Sequence, residues 1–351
     1  MCRGSEGVDT RKIDVITRCV KPYDDFSAYL ALAENPDFRF IVSNTTEAGI
    51  EFDSSCKFSD VPCKSFPGKL TQLLYKRYKN GLSGFVLLPC ELIDNNGDEL
   101  KKCVLKYAEF WSLEKEFAEW VEKENTFANT LVDRIVTGYP TDETAALHPE
   151  DKYLDTGELF HLWVIEGDFE NELPLKKAGY NVIWTNDVTP YKKIKVRILN
   201  GAHTSMVTGA LLSGIETVGE CMEDASVSAF LNKAVNEEIL KTIGDNEESR
   251  DFAKAVFDRF KNPFIKHQLR SIALNSVSKF SVRVLPTILE YKEQNGAYPK
   301  ILSMSLAYLI YFYKNDAPND AENVITKMKN NSISDILKDV SLWGIDISDM
   351  N

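Results

Sequence analysis

A change of hydrophobic rhythm near residue 191 constrains this chain more than any other feature. Upstream, short continuous apolar runs alternate with segments of helical spacing. Residues 38–43 (Phe-Arg-Phe-Ile-Val-Ser) and 84–89 (Gly-Phe-Val-Leu-Leu-Pro) read as buried strands, and residues 13–20 as an earlier one. Residues 25–33 read as a helix closed by Asn35-Pro36, and Leu70, Leu73 and Leu74 mark a helical face within 69–78. One long helix is expected over 99–122, with later strands over 159–165 and 181–185. Unbroken apolar strands separated by helices imply a parallel sheet covered on both faces. Downstream the strand pattern stops. Residues 227–243, 251–260, 267–293, 300–313 and 334–342 all repeat apolar side chains at intervals of three and four. Pro286 should bend the third of these segments, Pro299 suits the first turn of the fourth, and Ser332 with Asp335 has the spacing of a cap. The expected fold class is α/β plus all-α, a parallel-sheet domain over 1–190 followed by a helical domain over 191–351.

A length of 351 residues allows two cores, and 44% apolar with 27% charged residues is ordinary for a globular protein. The net charge of −12 excludes a basic nucleic-acid surface. It also does nothing to attract an anion, so an anionic substrate needs local cations. Seven cysteines without Cys-x-x-Cys spacing read as reduced thiols in a cytoplasmic protein. The first twelve residues lack the apolar region of a secretory signal, and the greasiest stretch, 304–313, is shorter than the ~20 residues that span a bilayer. No membrane partner is expected.

The junction between the two rhythms, near residues 187–195, runs into Lys195-Val-Arg-Ile-Leu-Asn200-Gly-Ala-His203. In a straight α-helix Asn200 would lie about 140° and His203 about 80° around the axis from Lys195. One broad face then carries an amine, a carboxamide and an imidazole. A lysine with a pKa lowered by burial gives and takes a proton. An asparagine N–H donates to an oxygen gaining negative charge, and a histidine orients a hydroxyl. The trio suits reversible reduction of a ketone.

Asn186-Asp-Val-Thr-Pro-Tyr191 followed by Lys195-x-Arg-x-Leu-Asn200-x-x-His203 resembles the signature of the polyol-specific long-chain dehydrogenases and reductases, the mannitol dehydrogenase family. Thr46-Glu-Ala-Gly49, Ser65-Phe-Pro-Gly-Lys-Leu-Thr71, Asn129-Thr-Leu-Val-Asp-Arg-Ile135 and Trp163-Val-Ile-Glu166 fall in the family's order. Pro89-Cys-Glu-Leu-Ile-Asp-Asn-Asn-Gly97 and Asn262-Pro-Phe-Ile-Lys-His-Gln-Leu269 are similar to its hexuronate-reducing branch. The resemblance implies a partial Rossmann-like domain before a helical substrate domain. No Gly-x-Gly-x-x-Gly turn occurs in the chain, so an N-terminally truncated member is expected, without the first phosphate-binding βαβ unit.

The implied cofactor is NAD, and the implied substrate is a small sugar acid: a keto-hexuronate reduced to an aldonate, tagaturonate to altronate. Fructuronate reduction, hexitol oxidation and a non-catalytic fragment are the rivals. Lys195 is implied as general acid/base, Asn200 as oxyanion donor and His203 as the hydroxyl-binding group. Asp133, Lys279, Arg270 and Glu91 are implied around the substrate, with Lys266 a further cation and His267 a possible lining residue. Asn44, Thr45 and Glu47, just beyond a buried strand, and Asn129 are the cofactor-side candidates. Two positions depart from the family pattern. Ser271 stands where polyol enzymes have an arginine. Leu92 stands where mannitol-type members have an asparagine, which leaves Asn200 alone or with Asn95 or Asn96 as donor. No metal is expected, and the sequence leaves the oligomeric state open.

Overall fold

The computed structural model describes residues 1–4, 7–46, 48–140 and 149–350. The chain divides into two compact units. One comprises Arg11–Arg134 and His161–Thr189, the other Met1–Thr10, Ile135–Phe160 and Pro190–Asn351. The stretches 1–10 and 135–160, which hydrophobic rhythm assigns to the sheet domain, thus cluster with the helical unit.

The strands in chain order are β1 (Cys2–Gly4), β2 (Gly7–Asp9), β3 (Phe40–Ser43), β4 (Val86–Pro89), β5 (Thr126–Phe127), β6 (Thr130–Asp133), β7 (Val136–Gly138), β8 (Thr156–Glu158), β9 (Leu162–Glu166) and β10 (Val182–Thr185). In the α/β unit, β3, β4 and β5 pair in parallel. The chain continues from β5 into β6, which pairs antiparallel with β9, and β9 pairs in parallel with β10. Strand β4 explains its unbroken apolar run by burying both faces. Val86 and Leu88 meet Ala128, Ile165 and Val182 on one side. Phe85 and Leu87 meet Leu70, Leu74, Leu100, Val104 and Phe117 on the other.

Three expectations for this unit change. Residues 11–20 form no strand, and Ile13, Val15 and Ile16 are exposed. An apolar run is only half of a strand, because its backbone also needs a hydrogen-bonded neighbour. Strand β3 is an edge rather than a buried centre, with Val42 57% exposed. The long helix expected over 99–122 is two helices, Asn96–Phe110 and Lys115–Glu124. Between them Ser112 adopts φ 52°, left-handed, and the Trp111 indole donates to the Cys56 carbonyl at 3.0 Å, holding the chain out of helical path.

In the helical unit the helix Gly201–Leu212 is buried almost all round, its Ala202, Met206, Val207 and Ala210 sharing a core with Leu302, Leu306, Leu309 and Ile310 of the helix Lys300–Asn315. Gly209 permits a close approach there, since a Cβ would meet the Tyr308 ring at 2.8 Å. The segment 267–293 divides into Leu269–Ile272, Ser276–Arg283 and Leu285–Asn295, with Pro286 opening the last. Asn275, at φ 52°, breaks the first from the second. Pro299 precedes the first turn of Lys300–Asn315, and Ser332 caps Ile333–Lys338 by accepting from the Asp335 N–H at 3.1 Å. The buried Glu238 carboxylate caps Lys300–Asn315 from a distant element, accepting from the N–H groups of Ile301 and Leu302 at 2.8 Å each. A small sheet in the order β2-β1-β8-β7 completes the unit. All seven cysteines are unbridged. Among the described residues no helix is long and apolar enough to cross a membrane.

Candidate functional site

The helical stretch over 189–212 is not uniform. It is α-helical over Thr189–Lys195, π-helical over Val196–Asn200 and α-helical again over Gly201–Leu212. The Gly201 N–H reaches five residues back to the Val196 carbonyl. An i→i+5 turn sets residues five apart more nearly one above another than the α-repeat does. Lys195 and Asn200 therefore lie closer around the axis than the about 140° of a straight α-helix. His203 follows within one α-turn of Asn200. Single π-turns inside α-helices recur at functional sites.

The wide turn is anchored. Arg197 sits within it, buried, and donates to Thr287 Oγ1 at 2.6 Å and Glu290 Oε1 at 2.8 Å. Glu290 also pairs with Lys193 at 3.1 Å, so one carboxylate holds residues on both sides of Lys195 to the helix Leu285–Asn295.

The three groups differ in what surrounds them. Lys195 is half-buried. Asn200 is half-buried, and among the described residues its carboxamide has no hydrogen-bond partner. The His203 ring stacks on Phe260 with centroids 4.2 Å apart, and His267 meets it edge-on at 5.2 Å. His203 Nε2 is buried and unpartnered. Burial above all, then His267, Arg259 and Arg283, holds the His203 pKa well below the usual imidazole value. The ring is neutral at pH 7, with one N–H to give and one lone pair to accept. His203 and His267 line a cavity of about 20 Å³ with Leu199, Val218, Arg259, Phe260, Ile265 and Ile135, room for about one water-sized group.

Of the cations expected around the substrate, Lys279 is closest in character to a site group. Its ammonium donates to the Ile272 carbonyl at 2.9 Å, and burial, then Arg283, lowers its pKa. Lys279 in turn is the charge that, after burial, lowers the His267 pKa. Arg270 lies elsewhere: it is exposed, paired with Asp316 at 3.1 Å, and lines an open groove with Ser271, Leu274 and Phe312. Lys266 is exposed. Arg259, unremarked in the sequence, makes a buried two-pronged ion pair with Glu158, both bonds 2.9 Å.

The α/β unit holds its polar candidates differently. Glu91 is buried and accepts from Ser43 Oγ, the Thr45 N–H and Thr45 Oγ1 at 2.9–3.0 Å, fixing the loop beyond β3. Asn44 and Thr45 on that loop are exposed at the C-terminal end of the strand; Glu47 lies outside the described residues. Asn129 accepts from the N–H groups of Gly97 and Asp98 and donates to Asp98 and Glu166, so its amide is fully engaged in starting the helix Asn96–Phe110. Asn96 is equally engaged, donating to the carbonyls of Pro89, Glu91 and Thr130. Asp133 is buried at the end of β6. Leu92 is exposed, and burial pushes the Cys90 thiol up to about 11, away from nucleophilic character.

Sequence reasoning missed the π-turn, its Arg197–Glu290 anchor and the Arg259–Glu158 pair. Their partners are 93 and 101 residues apart, and no local signal joins them. His267, named from the sequence as a lining residue, stands beside His203 in the cavity wall.

The chain comprises a Rossmann-like α/β unit and a helical unit, and one segment of the helical unit carries Lys195, Asn200 and His203. Residues 3–177 match the mannitol dehydrogenase Rossmann domain and residues 187–350 the mannitol dehydrogenase C-terminal domain, and the chain belongs to the mannitol dehydrogenase family. An altronate oxidoreductase of Yersinia enterocolitica is 49% identical over 319 residues, covering 88% of this chain and 66% of that protein. One from Escherichia coli is 47% identical over 325 residues, covering 90% and 67%. The chain thus spans about two thirds of the length of these curated relatives. In fold it is similar to a D-sorbitol dehydrogenase (TM-score 0.81, 22% identity, 93% of this chain and 74% of that one). It is also similar to the Pseudomonas fluorescens mannitol 2-dehydrogenase in ternary complex with NAD and D-mannitol (TM-score 0.66, 22% identity, 94% and 72%).

Proposed function

We propose that this chain serves an NAD(H)-dependent oxidoreductase that reduces a keto-hexuronate to an aldonate, tagaturonate to altronate, and runs in reverse. The observation that carries the reading is the buried, unpartnered His203 Nε2 on one helical segment with Lys195 and Asn200. A buried polar atom without a partner is costly in a folded protein, and such groups are expected where a ligand completes them.

In the reductive direction the ketone oxygen gains negative charge as its carbon receives hydride. The Asn200 N–H and the neutral His203 imidazole stabilise that oxygen, and Lys195 delivers the proton to it. In the oxidative direction Lys195 takes the proton from the hydroxyl. Lys279 is the cation for the carboxylate of the sugar acid, and Asp133 a candidate for its hydroxyls. The nicotinamide supplies or accepts the hydride. On the cofactor side, Asn44 and Thr45 stand at the C-terminal end of a parallel strand and fit the nicotinamide ribose. Glu91 and Asn129 contribute by holding the loop and helix start beside them. The altronate oxidoreductase relatives support the choice of substrate.

The test is NADH oxidation by the protein in the presence of tagaturonate, followed by absorbance. Lys195→Ala is expected to lower turnover about 10²–10⁴-fold, the range for a lost general acid. Turnover equal to the parent removes Lys195 from the mechanism. Oxidation of mannitol without any activity on altronate overturns the substrate assignment, and no NADH binding in a fluorescence titration favours a non-catalytic chain.

A further inference from the structure

Around His203 and His267 the structure places the cations Arg259, Arg283 and Lys279. His267 presents its ring edge-on to His203, and its side chain has no hydrogen-bond partner among the described residues. The Lys279 ammonium uses one N–H on the Ile272 carbonyl and has no ion pair among the described residues. Arg259, which lines the cavity, is paired with the Glu158 carboxylate, and Glu158 also accepts from the Ile135 N–H. Imidazole N–H groups beside an ammonium suit a group that accepts, and the strongest such group is a carboxylate.

We propose that His267 is a specificity-determining residue which, with Lys279, receives the carboxylate end of the sugar acid while His203 faces the reacting end. The inference rests on the function proposed above and assigns to His267 a role that reading leaves empty. The two imidazoles touch edge to face, with centroids 5.2 Å apart. A neutral imidazole N–H and an ammonium can share the two carboxylate oxygens, and Lys279 places positive charge beside His267, with Arg283 near it and Asp320 in part opposing. A hexitol has a hydroxyl at the same end and draws nothing from Lys279 as an ion.

Histidine-selective ¹⁵N NMR of the whole chain, its four histidines assigned by substitution, separates the possibilities. Titration with altronate is expected to shift the ring nitrogens of both His203 and His267, and titration with mannitol to shift His203 alone. His267→Asn and His267→Gln are expected to weaken altronate about tenfold, the loss of one charge-assisted hydrogen bond, and to leave the mannitol response of His203 within about twofold. Altronate shifting His203 but not His267 overturns this proposal and leaves the function above intact. So does unchanged altronate affinity in both variants. If neither ligand moves His203, the function above fails and this assignment falls with it. The wild-type titration decides the matter even where a variant does not fold.

Discussion

Two sets of buried or half-buried polar residues in this protein have opposite bonding states. In the α/β unit Glu91, Asn96 and Asn129 spend nearly all their hydrogen-bonding capacity on backbone and neighbours. In the helical unit Asn200, His203 Nε2 and the His267 ring have none of theirs met by the described residues. Residue type does not separate the sets, since each contains an asparagine resembling a family site residue. Saturation does. A satisfied buried amide shapes the backbone around it, whereas an unsatisfied one is held in readiness by surrounding structure that tolerates its cost. The contrast places Glu91 and Asn129 in building the loop and helix start, and it accords with the ligand-contact role proposed for Asn200 and His203.

Substitution can break this contrast. The largest effect is expected from Lys195→Ala, about 10²–10⁴-fold in turnover with the unfolding midpoint kept, because the half-buried amine acts in the chemistry. A comparable loss of stability would place Lys195 in the structural set. Next comes Arg259→Ala, which strands the buried Glu158 carboxylate. Broken buried pairs cost about 3–5 kcal/mol, read as a lower denaturant midpoint. Asn129→Ala removes the cap of Asn96–Phe110, at about 1–2 kcal/mol of stability. His203→Met, by contrast, replaces an unpaired ring in an apolar setting and should change stability by less than about 1.5 kcal/mol while abolishing the ligand response. A large stability loss in that variant would erase the distinction.

The smallest effect is the pH dependence. Burial depresses the pKa of both His203 and His267, so the fold prefers their neutral forms. The unfolded chain binds protons at these rings near 6.5. Their contribution to stability is therefore fully present above about 6.5 and is lost as pH falls toward the folded values. Melting temperature should decline from pH 7 to pH 5, and His203→Met should flatten the decline. An equal slope in the variant would locate the titrating groups elsewhere.

How far the sequence could be read follows the range of each interaction. The rhythm of β4 and of Lys300–Asn315 is local, so strand and helix were legible, as were the helix start at Pro299, to within a residue, and the Ser332 cap. Residues 13–20 look as much like a strand as 84–89 do, yet only the second finds neighbours on both sides. The Lys195-Asn200-His203 spacing was legible as a motif, but the α-helical angles drawn from it were not those of the structure. A π-turn depends on Arg197 being pulled to Thr287 and Glu290, which lie about ninety residues downstream. Arg270 and Lys266 looked equivalent to Lys279 by charge and position; tertiary packing pairs Arg270 with Asp316 and leaves Lys279 among the imidazoles' neighbours.

By itself the sequence determined the class of each half and the family, and it named three candidate groups, because these rest on side-chain chemistry and short-range periodicity. Only the tertiary structure decided which polar residues are used up inside the fold and which are left to meet a ligand. Hydrogen-bond saturation is set by partners brought together from distant parts of the chain, and no spacing along the sequence records it.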